Sequence, residues 1–171
     1  MTSTLNQIIS SFGVDSVHYG IIVFGTNVTK VLSFGEMFDS KKHVAAILSG
    51  LQKLQGIPSL DLALDEAKEM FELNAVRPNA TRVLVLIMDQ RSTVTNSEIR
   101  RKATPLENLR VNVIPIGIGD QANVEQLRST TSDAANVIKV PNDEDTATLA
   151  KRVSSSILGS KRKFIVIIRQ D

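Results

Sequence analysis

Phe164-Ile165-Val166-Ile167-Ile168, near the C-terminal end of this 171-residue chain, is a run of β-branched and aromatic residues without polar alternation. Arg169, Gln170 and Asp171 follow it. A second run of the same kind, Arg82-Val83-Leu84-Val85-Leu86-Ile87-Met88, stops at Asp89. Apolar runs of this length are strands covered on both faces, and parallel sheets produce such strands. The centre of the fold is therefore expected at the very end of the chain. Ligands of open α/β sheets sit beyond the carboxyl ends of the strands. Two strands that each deliver an aspartate to that edge form the sharpest functional signal in the sequence. A single aspartate after a strand is otherwise a turn former or a helix cap.

Outward from these runs, strands and helices alternate. Leu5 to Phe12 has helical spacing but is short and ends at Gly13. Val17 to Phe24 reads as a strand, and the tight turn Gly25-Thr26-Asn27 leads into a more polar strand, Val28 to Phe34. Strands so joined form an antiparallel hairpin, and the polar member suits a sheet edge. Asp39 or Ser40 is placed to cap a helix from Lys41 to Leu54. Ser59 is placed to cap another from Leu60 to about Leu73, with Leu60, Leu64, Ala67 and Phe71 on one face. After the Arg82–Met88 strand, Asn96 or Ser97 caps a helix to about Leu109, which Pro105 should kink or end early. Val111 to Ile116 is a strand closed by Gly117-Ile118-Gly119-Asp120. A short helix (Val124 to Ser129), a strand (Asn136 to Val140) and a last helix (about Asp145 to Leu158) complete the series. The expected fold class is α/β: a doubly wound, mostly parallel six-stranded sheet with one antiparallel edge strand and helices on both faces.

At 171 residues the chain reads as one domain, with 1–158 as body, 159–163 as linker and 164–171 as terminal strand. A hydrophobic share of 42% against 22% charged residues places it among globular chains, not disordered ones. No run approaches the ~20 apolar residues of a membrane helix, and residues 1–7 carry no basic signal-like segment. Neither membrane insertion nor a cleavable leader is expected. A net charge of +2 is too small to argue for nucleic acid. With no cysteine there is no disulfide framework, thiolate metal site or cysteine nucleophile. Two N-x-[ST] triplets mark Asn27 and Asn79 as candidate glycosylation sites and lean towards a secreted parent protein.

Several segments taken together resemble the von Willebrand factor type A domain, also called the integrin I-like domain. They are VHYGIIVFG, GIPSLDLALDEAKEMF, VRPNATRVLVLIMDQRS, VNVIPIGIG and EQLRSTTSDAANVIKV, spread from about Leu5 to Leu158. Their flavour is that of extracellular-matrix members such as collagen VI and matrilin-type proteins. In that family the first strand precedes the first helix and lies centrally in the sheet. Here nothing precedes half of that helix, and the spare strand is Phe164–Ile168. The resemblance therefore implies a circularly permuted or re-cut domain whose last strand takes the first strand's place. That strand inserts either into its own sheet or into a neighbour's, giving strand-swapped self-association.

The resemblance also implies a site for Mg²⁺ or Mn²⁺ at the carboxyl edge of the sheet. Asp171 matches the family's first aspartate and Asp89 its last. The hydroxyl pair that should follow the first aspartate has no counterpart after Asp171; Thr2 and Thr4 stand as candidate hydroxyl ligands if the termini meet. The family's loop threonine falls on Pro58, leaving Ser59 beside it as the nearest oxygen ligand. Met88-Asp89-Gln90 replaces the usual Thr-Asp-Gly. The metal set is thus Asp171, Asp89 and Ser59, in a degraded form of the family's pattern.

Gly117-Ile118-Gly119 lacks the third glycine of a dinucleotide loop and reads as a turn. His18 and His43 have no paired ligands nearby and read as structural or surface residues. No Gly-x-Ser-x-Gly elbow or Ser-His-Asp order is present. The basic clusters Lys41-Lys42, Arg100-Arg101-Lys102 and Lys161-Arg162-Lys163 suit solvated helix ends or an acidic polysaccharide. Two functions follow from the resemblance. One is a non-enzymatic adhesion module of the secreted extracellular matrix, binding collagen or another matrix protein. The other is a structural or assembly module with a vestigial metal site.

Overall fold

A computed structural model describes residues 17–34, 46, 56–73, 80–141, 146–156 and 163–170, the last segment by its backbone. The strands are β1 (Val17–Phe24), β2 (Val28–Leu32), β3 (Thr81–Met88), β4 (Val111–Ile118), β5 (Ile138–Val140) and β6 (Lys163–Gln170). The helices are α1 (Leu60–Leu73), α2 (Asn96–Asn108), α3 (Val124–Ser129) and α4 (Thr146–Ser156), with a 3₁₀ turn at Ala134–Asn136. The expected helices Leu5–Phe12 and Lys41–Leu54 lie outside the described residues, apart from helical Ala46.

One six-stranded sheet runs in the order β2-β1-β6-β3-β4-β5. Only β1 and β2 pair antiparallel, through a tight turn in which Gly25 donates to the Asn27 carbonyl at 2.9 Å. β6 is parallel to both of its neighbours. It aligns Lys163–Gln170 with Val17–Phe24 on one side and Lys163–Arg169 with Thr81–Ile87 on the other. The terminal strand is thus the centre of the sheet. Such a strand must be apolar on both faces, as its composition is, because both faces are covered.

The period of two in each strand sorts side chains into two cores. Tyr19, Ile21, Val23, Val83, Val85, Ile87, Ile114 and Ile116 face one side, where α4 adds Leu149, Ala150 and Val153. Ile22, Phe24, Leu84, Leu86, Met88 and Val113 face the other, where α1 and α2 lie. There α1 contributes Leu60, Ala63, Leu64, Ala67, Met70 and Phe71, and α2 contributes Ile99, Ala103 and Leu106. Phe71 meets Phe34 with ring centroids 5.4 Å apart, inclined at 52°, a favourable tilted pair. Lys102 pairs with Asp65 and ties α2 to α1; Lys30 pairs with Glu66 at 2.6 Å and ties β2 to α1. These half-exposed pairs fix orientation more than they stabilise.

Three local expectations are corrected. The cap of α2 is Thr95, not Asn96 or Ser97: its side chain accepts from the Glu98 N–H at 3.3 Å. Pro105 neither breaks nor shortens α2, which continues to Asn108, because the bond it forfeits falls in the last turn. The stretch expected as a strand from Asn136 is a strand only from Ile138. Asp133 accepts from the Ala135 N–H at 3.0 Å and holds the preceding residues in the 3₁₀ turn.

Tyr19 is the sole tyrosine and the chain has no tryptophan. It is 1% exposed, and burial pushes its phenol far above the ordinary range. A raised folded-state value means that its contribution is complete below the unfolded pKa of about 10 and is lost as pH rises beyond it. Tyrosinate absorbance should therefore appear only with alkaline unfolding. In Tyr19→Phe the fall in stability above pH ~10 should be shallower by up to about 1.4 kcal/mol per pH unit. Urea titrations at several alkaline pH values check this; a tyrosinate signal in the still-folded protein would contradict it.

Candidate functional site

Among the described residues, the carboxyl edge of the sheet includes the hairpin turn 25–27, the 56–59 turn, the 89–95 loop, the 119–123 loop and the start of α3. β3 delivers Asp89 there, half-buried, and its carboxylate has no hydrogen-bond or ion-pair partner among the described residues. β6 ends at Gln170, in register with Phe24, and the chain then reaches Asp171, which lies outside the described residues. Thr2, Thr4 and Asn79 also lie outside them.

Ser59 stands at the entrance to α1, and its carbonyl accepts from the Ala63 N–H at 3.2 Å. The Ser59 hydroxyl does not cap α1 but donates to the Thr26 carbonyl at 3.1 Å. The Ser59 N–H donates to the Gly25 carbonyl at 2.8 Å, so the residue is pinned to the hairpin turn twice. The close approach requires glycine at 56. Its φ is +112°, and a Cβ there would lie 1.9 Å from Thr26 Oγ1. With its proton committed to Thr26, the Ser59 oxygen keeps its lone pairs for a cation.

A clamp that the sequence reading did not find holds these loops together. Ser92 is 2% exposed and donates through Oγ to the Pro58 carbonyl at 2.6 Å. Gln126, equally buried on α3, accepts from the Ser92 N–H at 2.9 Å. Its amide nitrogen donates to the carbonyls of Ser92 (2.8 Å) and Val94 (2.9 Å). One side chain thus satisfies three backbone groups of an irregular loop that would otherwise be buried and unpaired. The signal in the sequence was Asn123-x-x-Gln126, the spacing of a helix capping box. Asn123 does cap α3, accepting from the Gln126 N–H at 3.0 Å, but the Gln126 side chain reaches across to another loop.

Other candidates settle into structural roles. Gly117 lies where α3 meets β4: a Cβ there would stand 2.7 Å from Leu127 Cδ1 and 3.1 Å from Ala122 Cβ. Gly119 turns the chain at φ +74° while donating to the Val140 carbonyl at 2.8 Å; the turn expected at 117–119 thus begins only there, since Gly117 and Ile118 still belong to β4. His18 Nδ1 stands 3.1 Å from the Phe34 carbonyl and donates to it. Within Arg100-Arg101-Lys102 every cation is paired, to Glu107, Glu98 and Asp65 respectively. His43 and the cluster at 41–42 lie outside the described residues, as do Lys161 and Arg162. Asn27 is exposed in the hairpin turn.

Among the described residues no group of three or more His, Cys, Asp or Glu could enclose a metal ion. Among the described residues, the edge offers the unpartnered carboxylate of Asp89 and the oriented hydroxyl of Ser59. That set fits a hard cation that keeps several waters, as Mg²⁺ does, and does not fit an enclosed cage.

These observations define the class. Residues 1–152 match the family model of the von Willebrand factor type A domain, and the chain belongs to that family. It is 28% identical over 145 residues to the human collagen alpha-5(VI) chain and 25% identical over 134 residues to the mouse collagen alpha-4(VI) chain. Those matches take in 81% and 77% of this chain but only 5% and 6% of the relatives, so the chain spans about a twentieth of their length. Among solved structures, proximal thread matrix protein 1 from the mussel byssus superposes with a TM-score of 0.80 at 19% identity. The alignment covers 90% of this chain and 40% of that one. A form of the same mussel protein with a zinc-occupied MIDAS motif superposes at 0.76 over 90% of this chain and 41% of that one, also at 19% identity.

Gln126→Leu should cost about 2–4 kcal/mol, because it strands one buried N–H and two carbonyls. Urea denaturation measures the loss, and faster amide exchange at Ser92 would localise it to the loop. A neutral substitution would show that the clamp contributes nothing net.

Proposed function

We propose that this domain is a non-enzymatic adhesion module of the secreted extracellular matrix, which binds collagen or another matrix protein through the carboxyl edge of its sheet. The observation that carries the reading is the edge itself. A half-buried, unpartnered Asp89 stands in a loop that Gln126 and Ser92 hold rigid against the turn bearing Ser59. Preorganised polar loops around a fixed acid suit protein recognition, where little should be ordered on binding. The family membership and the likeness to collagen VI chains support the matrix setting. Exposed Asn27 suits a glycosylated, secreted parent.

Asp89 and Ser59, with Asp171 beyond β6, are the residues that would hold a divalent cation. When bound, the ion would supply an open coordination position to an acidic group of the partner. The chain's own part is to orient: β3 and β6 run parallel, with Ile87 beside Arg169, so both strands end at the same edge. The zinc-occupied MIDAS motif of the mussel protein supports a cation site in a domain of this fold. Thr2 and Thr4 are proposed only as further hydroxyl ligands.

A second reading is favoured by one observation: β6 lies after the residues that match the family model, yet occupies the centre of the sheet. In this reading 1–171 is a single permuted or re-cut domain, with 159–162 as linker, one residue shorter than expected because β6 begins at Lys163, and β6 in the place of the family's first strand. The same strand can serve a neighbour's sheet, making the domain an assembly module with a vestigial metal site.

Calorimetric titration with Mg²⁺ and Mn²⁺ tests the first reading. Saturable binding that disappears in Asp89→Ala, with cation-dependent attachment to collagen, is the expected result. No heat at millimolar metal, together with dimers that form as concentration rises in light scattering, would favour the second.

A further inference from the structure

At the opposite end of the strands the sheet carries a second feature. A cleft of about 560 Å³ opens where β3 begins and α2 ends, in the range of ~300–1,000 Å³ typical of small-ligand sites. Thr81, Arg82, Asn108, Arg110 and Asn112 line it with polar groups, and among the described lining residues there is no carboxylate. Arg82 and Asp89 stand at opposite ends of β3, about 20 Å apart at ~3.3 Å per residue, so the cleft is separate from the Asp89 edge.

Each of these polar side chains carries at least one N–H or O–H donor. Arg82 spends one N–H on the Leu109 carbonyl at 3.0 Å, which anchors its guanidinium at the C-terminal end of α2 and leaves its other N–H groups available. Asn112 accepts from the Asn136 amide at 2.9 Å, so its carbonyl oxygen is engaged and its own NH₂ is left to donate. Arg110 is exposed and makes no side-chain hydrogen bond or ion pair among the described residues. It is also the sole described non-glycine residue with positive φ, at 56°. Directly after a helix this is the position where glycine is usual. An arginine held there at a conformational cost points to a use for its charge. Glu107, the nearest acid in sequence, is engaged through both oxygens by Arg100, at 2.7 and 2.9 Å, and does not neutralise the cleft. β6 enters the sheet at this end too, with Lys163 in register with Thr81.

Two guanidinium groups and neutral N–H and O–H donors, with no acid among the described lining residues, form a receptor for an oxyanion surrounded by hydroxyls. We propose that this cleft binds a sulfated polysaccharide, with Arg82 and Arg110 on a sulfate and Asn108, Asn112 and Thr81 on sugar hydroxyls. Its neutral donors suit hydroxyl-rich sugar better than an acidic peptide, whose side chains bring carboxylates but few hydroxyls. The site does not depend on the proposed cation edge.

Arg110→Gly makes the test clean, because glycine relieves the positive φ and should leave the melting temperature unchanged or higher. The probe is a heparin octasaccharide titrated calorimetrically into the full chain with EDTA present, so that no divalent cation contributes. Expected results are saturable binding that weakens with salt and a five- to tenfold loss in Arg110→Gly, about one solvent-screened hydrogen bond. A loss of about tenfold or more is expected in Arg82→Gln, read only where its melting curve shows a folded protein. Absent binding, equal binding of the desulfated octasaccharide, or unchanged affinity in Arg110→Gly would each overturn the proposal. Equal competition by a glutamate-rich peptide would overturn the choice of a polysaccharide.

Discussion

The fold depends on a double ladder of backbone hydrogen bonds. β6 pairs along its whole length with β1 and along nearly all of it with β3. Without it, β1 and β3 would each present an unpaired edge in the middle of a buried layer, where water cannot satisfy the exposed N–H and C=O groups. In the sheet order only β6 joins the β2-β1 pair to the β3-β4-β5 group. Its register therefore sets where the two halves stand relative to one another. The hairpin turn bearing Thr26 and the loop bearing Asp89 come to the same edge because one strand aligns both.

A parallel sheet collects all of its strand ends at two opposite edges, and this chain gives those edges different chemistry. At the carboxyl edge an acid is left unpartnered while neutral side chains, Ser92 and Gln126, satisfy the loop backbone around it. A charged clamp would have competed with Asp89 for any ligand; an amide holds the loop without altering its charge. At the amino edge the lining groups are cations and neutral donors. The two edges are divided by the length of the strands and by the two buried cores that cover them.

Much of the architecture was legible because it rests on local rules. The unbroken apolar runs of β3 and β6 declared strands buried on both faces, and the residues of α1 fell on one face at three and four. The hairpin followed from a two-strand pattern around Gly25-Thr26-Asn27, and the bounds of α1 and α3 were read correctly. Misreadings arose where several residues could do the same local job. Thr95, Asn96 and Ser97 are all competent caps, and the loop's attachment to Gln126 decides which of them ends it. Pro105 was judged by its intrinsic cost without its place in the last turn. The clamp itself was invisible, since Ser92 and Gln126 are 34 residues apart and neither is unusual alone.

By itself, the sequence determined the class of the fold, the central place of its last strand and the delivery of Asp89 to the carboxyl edge. Those properties follow from hydrophobic period and strand composition, which act over a few residues. Only the tertiary structure decided that the Ser59 hydroxyl points its proton at Thr26 and that Gln126 locks the Asp89 loop. It likewise decided that Arg82 and Arg110 share a cleft with no acid among its described lining residues. These depend on the meeting of segments remote in the chain, fixed by strand register and helix packing, and no local pattern encodes which polar groups will be neighbours once the backbone has closed.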